Sequence, residues 1–521
     1  MEKEMEERIE KLREAKSAAM LGGGKEKIEK VHQRGKLTAR ERINLLLDHD
    51  SFVEWNMLIG HAKGLPTEGI ICGHGTVDGR TVCVYSQDPT ILGGSIGVLH
   101  GYKMYRTIER ALEMKVPLIG LHDSPGARVV RPEEGGGALG GMDRERHGGS
   151  VFFPNTQASG VIPQISAILG SCAGISVYSP ALTDFIFMVD GISQMFITGP
   201  RIVKSVMGEE VTMEELGGAK VHSRVSGVAD FRVKSEEKCF HMIRKLLSFL
   251  PSSDEEMPPI VDTGDDPNRI DETLEEIVPV DGRKSYDVRK VITRLADNGD
   301  FFEVKAEFAP EIVVGFAHLA GRSVGFVANQ SMARAGSLTI DSSDKEARFM
   351  RFCDCFNIPI IMLVDTSAYM PGSYQEHGGI IRHGAKVLYA LCEAVVPRVA
   401  VVLRKAYGGG NLGMGTIPGF RTDFTFYWPA AEAGVLGPEQ SVELFYSKEI
   451  AEAENPVKYK AGKVKEYRER YANPLFEVST NPYLEDVIEP KETRRLLIKT
   501  LQLLRSKQVI RQPKRHGNIP L

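Results

Sequence analysis

Two stretches of the sequence, VPLIGLHD at residues 116–123 and IPIIMLVD at residues 358–365, show the same pattern 242 residues apart. Each starts with a β-branched residue and a proline, continues through mostly apolar positions and ends in aspartate. Short apolar runs of this length predict buried β-strands. The sequence therefore contains two strands of one kind, one in each half of the chain.

Further matches surround these strands in the same order in both halves. They pair residues 79–80 with 321–322 and residues 94–95 with 336–337 at an offset of 242, and residues 162–169 with 396–403 at an offset of 234. One such match arises by chance, but a register shared over four pairs favours an internal duplication. The offset changes because the first half has the longer loop before the last pair.

A break in the middle of the chain separates the two halves. Residues 251–259 and 262–267 are acidic, rich in proline and aperiodic, as a linker between domains is. A chain of 521 residues is also longer than one hydrophobic core usually supports. We therefore expect two domains, residues 1–260 and residues 261–521.

Each half alternates short β-branched runs with helical stretches, such as residues 101–114 and 344–356. This alternation predicts an α/β fold with helices covering a sheet. Residues 1–46, rich in Glu and Lys, read as two charged helices with solvated faces.

The composition limits the class of protein. A net charge of −4 and a pI near 6.4 argue against nucleic acid as the main partner. The seven cysteines lie mostly in apolar runs, which favours reduced thiols and a cytoplasmic protein. No run approaches the roughly 20 apolar residues of a membrane-spanning helix, so direct membrane insertion is not expected. Cys353 and Cys355 lack the spacing of a zinc site, and no metal is predicted.

Two glycine-rich turns stand at equivalent places in the two halves. One is GSCAGI at residues 170–175 and the other is AYGGGN at residues 406–411. Each follows a predicted strand and precedes a predicted helix, where backbone N–H groups can hold a developing oxyanion. A single turn of this kind is more often a tight connection. Two at matched positions favour one oxyanion hole in each half.

Side chains for acid–base or nucleophilic chemistry are not evident. The sequence has no convincing Ser-His-Asp set and no spacing typical of paired catalytic carboxylates. The Gly-rich segment 135–149 reads as a mobile loop rather than as a catalytic cluster.

Several longer motifs carry a resemblance to a known family. The sequence resembles the carboxyltransferase (β) subunits of propionyl-CoA and methylcrotonyl-CoA carboxylases, which are biotin-dependent acyl-CoA carboxylases. The resemblance covers nearly the whole chain. Its most specific motifs are GKLTARERI at 35–43, ASGVIPQI at 158–165, YSPALTDF at 178–185, FITGP at 196–200, GEEVTMEELGG at 208–218, GGIIRHGAK at 378–386 and RKAYGG at 404–409.

The resemblance implies two tandem crotonase-like domains, the first on the acyl-CoA side and the second on the carboxybiotin side. It implies a homohexamer, with the active site where the N-terminal domain of one subunit meets the C-terminal domain of another. The substrate would be an acyl-CoA, which contains coenzyme A. Biotin would arrive on a separate carrier protein after carboxylation by a separate biotin carboxylase, since this chain has neither an Ala-Met-Lys-Met biotin attachment site nor an ATP-grasp region.

The resemblance also implies residue roles. Gly174 and Ile175 would hold the thioester oxygen, and Gly409 and Gly410 the biotin oxygen. The freed biotin nitrogen would remove the α-proton, which explains why no side-chain base stands out. The implied substrate-binding residues are Gly126, Ala127, Arg128, Ala368, Tyr369 and Leu412.

The chain departs from the family pattern at some of these positions. The first turn ends Gly174-Ile175 where the family has Gly-Gly, and Tyr369 stands where it usually has Phe. Leu412 replaces the Asp of propionyl-type enzymes, which predicts an acyl group larger than propionyl, or an unsaturated one.

Two other functions remain open. A decarboxylase or transcarboxylase subunit, moving carboxylate from a carboxyacyl-CoA to biotin, would have the same sequence features. A non-catalytic assembly scaffold is the third possibility, and the intact glycine turns argue against it.

Overall fold

The computed structural model describes residues 2–129, 151–510 and 512–521, so the Gly-rich segment 135–149 lies outside the described residues. The chain forms two compact units, Met1–Glu256 and Met257–Leu521, which we call the first and the second unit. The boundary falls inside the proline-rich segment at residues 251–259.

The first unit is built on a twisted sheet. Strands β1 to β3 pair antiparallel, and β3, β4, β5, β7 and β9 then follow side by side in parallel, while β6 and β8 form a separate parallel pair. The strands are β1 (Val53–Trp55), β2 (Ile70–Val77), β3 (Arg80–Gln87), β4 (Leu118–His122), β5 (Gln164–Ile168), β6 (Ser171–Ala173), β7 (Phe185–Val189), β8 (Gln194–Phe196) and β9 (Phe231–Val233).

Helices of the first unit connect and cover these strands. They are α1 (Glu2–Met20), α2 (Lys25–His32), α3 (Ala39–Leu46), α4 (Val98–Glu113), α5 (Phe152–Ala158), α6 (Ile175–Ala181), α7 (Pro200–Met207), α8 (Met213–Gly217), α9 (Ala219–Arg224) and α10 (Glu236–Phe249). The apolar face of α4 packs on the sheet: Met104 and Ile108 share one buried cluster with Tyr85 and Leu118. Burying each such side chain stabilises the fold by about 1.5–3 kcal/mol.

The second unit has the same sequence of strand pairings. Strands β10 to β12 pair antiparallel, and β12, β13, β14, β15 and β17 follow in parallel, with β16 beside the end of β14. The strands are β10 (Phe301–Val304), β11 (Ile312–Leu319), β12 (Arg322–Asn329), β13 (Ile360–Thr366), β14 (Arg398–Tyr407), β15 (Phe424–Tyr427), β16 (Glu432–Gly434) and β17 (Asp486–Val487).

Helices of the second unit again cover the sheet and extend the chain beyond it. They are α11 (Leu274–Ile277), α12 (Val288–Leu295), α13 (Ile340–Cys355), α14 (Ser373–Gly378), α15 (Ile380–Glu393), α16 (Gly408–Gly413), α17 (Pro438–Phe445), α18 (Ser447–Glu452), α19 (Pro456–Arg470), α20 (Pro474–Thr480) and α21 (Thr493–Leu503). One large apolar cluster, including Val291, Phe326 and Trp428, forms the core between strands and helices.

The pairing of the third and fourth strands of each sheet corresponds at the offset of 242 seen in the sequence. Cys83 pairs with Leu118 in the first sheet, and Gly325 with Ile360 in the second. Two isolated bridges lie beyond the sheets at the same offset, Ile96 with Ala127 and Leu338 with Tyr369.

A buried lysine repeats at that offset as well. Lys103 donates to the carbonyls of Thr67 and Ile70, and Lys345 donates to those of Ala309 and Ile312. Lys103 therefore links α4 to the start of β2, and Lys345 links α13 to the start of β11.

The predicted α/β fold is confirmed, and the expected helices at 101–114 and 344–356 are α4 and α13 with slightly different ends. The expectation of two helices over residues 1–46 is wrong, because the structure has three. Three consecutive glycines follow α1, and Thr38 starts α3 with a capping box in which Thr38 and Glu41 bond each other's backbone N–H. In the part of the chain that the structure describes, no helix is both long and apolar enough to cross a membrane.

Candidate active site

The glycine turn of the second unit joins β14 to α16. Gly408 has φ +50°, and a Cβ there would lie 2.9 Å from the Val435 carbonyl oxygen, so this position favours glycine. Gly409 and Gly410 follow in the first turn of α16, where N–H groups have no acceptor within the helix. Two adjacent backbone donors are therefore available at this end of β14.

The chain leaving β13 packs directly against this turn. A Cβ at Gly409 would lie 3.1 Å from Cδ2 of Tyr369, and one at Gly410 would lie 2.8 Å from Oγ1 of Thr366 and 3.0 Å from the carbonyl carbon of Ala368. Small residues are needed because backbone and aromatic ring approach this closely. The predicted substrate residues Ala368 and Tyr369 thus lie beside the predicted donors.

A cavity of about 1190 Å³ opens at the same place. Its wall includes Ala368, Tyr369, Gly408 and Gly409, together with charged side chains from the strand ends and from α17 and α19. Leu412 is half-buried on α16 and is not among the described residues that line this cavity. A ligand in the cavity would lie next to the glycine turn.

Asp365, at the end of β13, anchors the base of the turn. It accepts a hydrogen bond from Nη2 of Arg404 at 2.9 Å and one from the backbone N–H of Lys405 at 3.2 Å. Arg404 also donates through Nη1 to three backbone carbonyls, those of Pro279, Asp281 and Lys284. These bonds hold the end of β14 in one position.

Beneath the turn lies a buried acid that sequence analysis did not single out. Glu346 on α13 is fully buried, and within the described residues neither of its carboxyl oxygens has a hydrogen-bond partner. Burial raises its pKa well above the usual value, so the group is held neutral. The hydroxyl of Tyr369 is likewise buried and unpartnered, and its pKa is raised by burial and then by Glu346.

The glycine turn of the first unit joins β6 to α6. Gly174 has φ +56° and ψ −122°, and a Cβ there would meet no atom closer than the Ile197 carbonyl oxygen at 3.9 Å. The N–H of Gly174 donates to the carbonyls of Phe196 and Ile197 at 3.3 and 3.1 Å. Ile175 is the first helical residue of α6, so its N–H has no acceptor within the helix.

Gly126 to Arg128 lie beside this first turn. Gly126 has φ +105°, and a Cβ there would lie 2.6 Å from the Ala173 carbonyl oxygen, just before Gly174. Ala127 forms the bridge with Ile96, and Arg128 binds Glu68 at 2.5 Å. Of the residues expected to bind substrate, Gly126 thus adjoins the predicted donors of its own unit, and Ala127 and Arg128 follow it in the chain.

Asp123 occupies the place in the first unit that Asp365 occupies in the second. It binds Nζ of Lys36 at 2.5 Å and Nη1 of Arg42 at 3.0 Å. Arg42 also makes two bonds to Glu236, at 2.8 and 2.9 Å. No role was predicted for Lys36, Arg42 or Lys405, although they stand inside GKLTARERI and RKAYGG. Basic residues inside two of the motifs that carry the family resemblance were the available signal.

Comparisons with known proteins identify the family of the chain. The model of the carboxyl transferase domain family matches residues 30–519. The carboxyltransferase subunit of propionyl-CoA carboxylase from Haloferax mediterranei is 49% identical over 99% of this chain and 100% of its own length. The α subunit of methylmalonyl-CoA decarboxylase from Veillonella parvula is 47% identical over 99% of each chain.

A crystal structure of transcarboxylase 12S, a hexamer with methylmalonyl-coenzyme A and methylmalonic acid bound, has the same fold. It superimposes with a TM-score of 0.93 at 44% identity, over 99% of this chain and 98% of its own. The predicted family, the crotonase-like fold class and the enzyme class are confirmed by these matches. This chain belongs to the carboxyl transferase domain family, and it is a carboxyltransferase of the biotin-dependent acyl-CoA carboxylase and transcarboxylase type.

Proposed function

We propose that this chain moves carboxylate between biotin, carried on a separate protein, and a three-carbon acyl group on coenzyme A. The observation that carries the proposal is the glycine turn of the second unit, where Gly409 lines a cavity of about 1190 Å³ and Gly410 follows it in the first turn of α16. The relatives named for propionyl-CoA and methylmalonyl-CoA support the choice of acyl group.

The residues of the second unit fit biotin, because Gly409 lines the cavity without a side chain of its own, next to Ala368 and Tyr369. When bound, carboxylated biotin would supply the carboxylate, and the ureido nitrogen freed by its loss would take up the α-proton of the acyl-CoA. The N–H groups of Gly409 and Gly410 donate to the ureido oxygen, where negative charge develops during transfer.

The first unit holds the acyl-CoA. The N–H of Ile175 donates to the thioester oxygen as the α-proton leaves. Gly174 bends the chain so that this N–H stands at the start of α6, and Gly126 allows the neighbouring strand to approach. Because biotin would accept the proton, the proposal requires no side-chain base.

We propose a homohexamer, as named for transcarboxylase 12S. Helix α7 supports this, since none of its residues is buried while Ile202, Val206 and Met207 are each more than half exposed. Such apolar surface is normally covered by a partner. Partner proteins would be a biotin carrier and, for a carboxylase, a biotin carboxylase. All seven cysteines are free thiols, which supports a cytoplasmic location.

One experiment tests both the direction of carboxyl transfer and the preferred acyl group. It uses acetyl-, propionyl-, butyryl- and five-carbon acyl-CoAs and the matching carboxyacyl-CoAs, each with free biotin. We expect the highest kcat/KM for propionyl-CoA or methylmalonyl-CoA. Failure to transfer carboxylate to or from biotin with any of them would contradict the proposed function.

Leu412 favours a second candidate, a carboxyltransferase for larger or unsaturated acyl groups, and the same panel decides between the two. If a five-carbon acyl-CoA is preferred and Leu412→Asp shifts the preference to short chains, the second candidate replaces the first. A difference of one methylene group in an apolar substrate pocket changes kcat/KM by roughly ten- to two-hundredfold.

A further inference from the structure

The matched aspartates at the ends of β4 and β13 are neutralised differently in the two units. In the first unit Asp123 is bound by Lys36 and Arg42, and Arg42 also binds Glu236. Two cations therefore face two carboxylates, with contacts of 2.5–3.0 Å, and all four side chains are at most 14% exposed. The charge beside the first glycine turn is balanced.

In the second unit the same position has two cations and one carboxylate. Asp365 is engaged by the guanidinium of Arg404 at 2.9 Å, while Nζ of Lys405 stays 3.9 Å away. That distance is too long for a hydrogen bond. Nζ of Lys405 has no hydrogen-bond partner in the described part of the chain.

The other carboxylates of the cavity wall are already paired: Asp281 with Arg283, Glu439 with Arg468, and Glu432 as follows. Glu432 lies opposite Lys405 in the register of β14 and β16. It accepts a bond from the hydroxyl of Tyr407 at 2.5 Å and binds Nε of Arg468 at 2.7 Å. Lys405 therefore has no hydrogen-bonded counter-ion, and the carboxylate of its ion pair is that of Asp365, 3.9 Å away.

This charge lies in the wall of the cavity beside the glycine turn. Lys405 lines the cavity together with Gly408 and Gly409, and its side chain is only 13% exposed. Burial lowers its pKa, an effect that the charge of Asp365 opposes. A largely buried ammonium without a hydrogen-bonded counter-ion is costly, and an anion bound in the cavity would relieve that cost.

We propose that Lys405 binds the carboxylate that is transferred. The inference rests on the proposed function, since it takes the cavity to be the carboxybiotin side. Gly409 and Gly410 supply neutral N–H donors at the ureido oxygen, and Lys405 supplies the full positive charge for the carboxylate next to it. The balanced cluster of the first unit gives no such charge, which distinguishes the two holes.

Binding and kinetics together test this role. Calorimetry on the whole protein would compare two probes: a neutral biotin amide, and the same amide acylated on its ureido nitrogen with a phosphonoacetyl group, a stable anionic mimic. Lys405→Met should weaken the anionic probe about ten- to hundredfold, the usual range for a charge-assisted hydrogen bond, and leave the neutral probe unchanged. Lys405→Arg should restore most of the difference.

Arg283→Met is the matched control. Arg283 lines the same cavity, but its side chain is 92% exposed and paired with Asp281 at 3.1 Å. It should leave the affinity of both probes unchanged. In carboxyl transfer, Lys405→Met should lower kcat about tenfold or more without changing the KM of the acyl-CoA.

Equal loss of both probes in Lys405→Met, or an anionic probe that binds as tightly as before, would overturn the proposal. A change in the KM of the acyl-CoA would show that Lys405 contacts the acyl-CoA instead, and this result would also overturn the proposal. If the wild type transfers carboxylate in the acyl-CoA panel, these results concern Lys405 alone. If the wild type transfers no carboxylate, the proposed function on which the inference rests is contradicted instead.

Discussion

Replacing Gly409 by proline tests whether backbone N–H groups perform the chemistry. Gly409 is the second residue of α16 and its φ is not in the left-handed region, so the first helical turn can accept proline. The substitution removes one N–H that no helical carbonyl uses. It should therefore impair catalysis far more than stability.

The magnitude follows from the number of donors lost. One oxyanion donor is typically worth about 3 kcal/mol, which is a hundred- to thousandfold in kcat. The new ring carbon also meets Tyr369, since a Cβ at Gly409 lies 3.1 Å from Cδ2 of that ring. This contact is tight but is made to the edge of a side chain, and we expect it to cost no more than about 1 kcal/mol.

Gly409→Ala separates the two effects because it makes the same contact with Tyr369 and keeps the N–H. The assay is carboxyl transfer with free biotin and saturating acyl-CoA, with Tm measured in parallel. We expect the alanine variant to keep most of its kcat and the proline variant to lose at least a hundredfold, with similar Tm values. Equal kcat in the two variants, or normal turnover of the proline variant, would refute the donor role.

Three further outcomes are expected. Ile175→Pro, at the first position of α6, should lower kcat about a hundredfold by removing the thioester donor, while Ile175→Val should not; the acyl-CoA transfer assay measures both. Glu346→Met should raise the free energy of unfolding by about 1–3 kcal/mol, because Met, found at the matched position 104, leaves no buried polar atom unbonded. Since the folded-state pKa of Glu346 lies well above 4.5, wild-type stability falls as pH rises past the unfolded value, and the gain in urea unfolding should be larger at pH 8 than at pH 5. Lys345→Met should destabilise the second unit by about 2–3 kcal/mol, seen as a lower Tm, because the carbonyls that accept from Nζ lose their donor; an unchanged Tm would show that these bonds contribute nothing.

Local patterns were enough to predict the strands, the main helices and the two glycine turns. Apolar runs that end in aspartate or glycine specify a buried strand and the connection that follows, and both are decided by residues close in sequence. The number of N-terminal helices was predicted wrongly, because the start of α3 depends on the capping bonds between Thr38 and Glu41, and a uniform run of charged residues hides such a boundary.

For the site residues too, the sequence predicted some features and missed others. Gly409 and Tyr369 were both predicted from the family resemblance, but their contact was not visible in the sequence. The engaged N–H of Gly174, with acceptors 22 and 23 residues further along the chain, could not be foreseen from the turn itself.

The sequence alone determined the α/β class, the repeated strand pattern at an offset of 242 and the two turns that offer backbone donors, because these depend on short periodic patterns and on glycine where a side chain would clash. Only the tertiary structure decided which charges meet. Lys36 and Arg42 reach Asp123 from residues more than 80 positions away, whereas Lys405 is held 3.9 Å from Asp365. Electrostatic balance depends on distances between side chains from different strands and helices, and packing sets those distances.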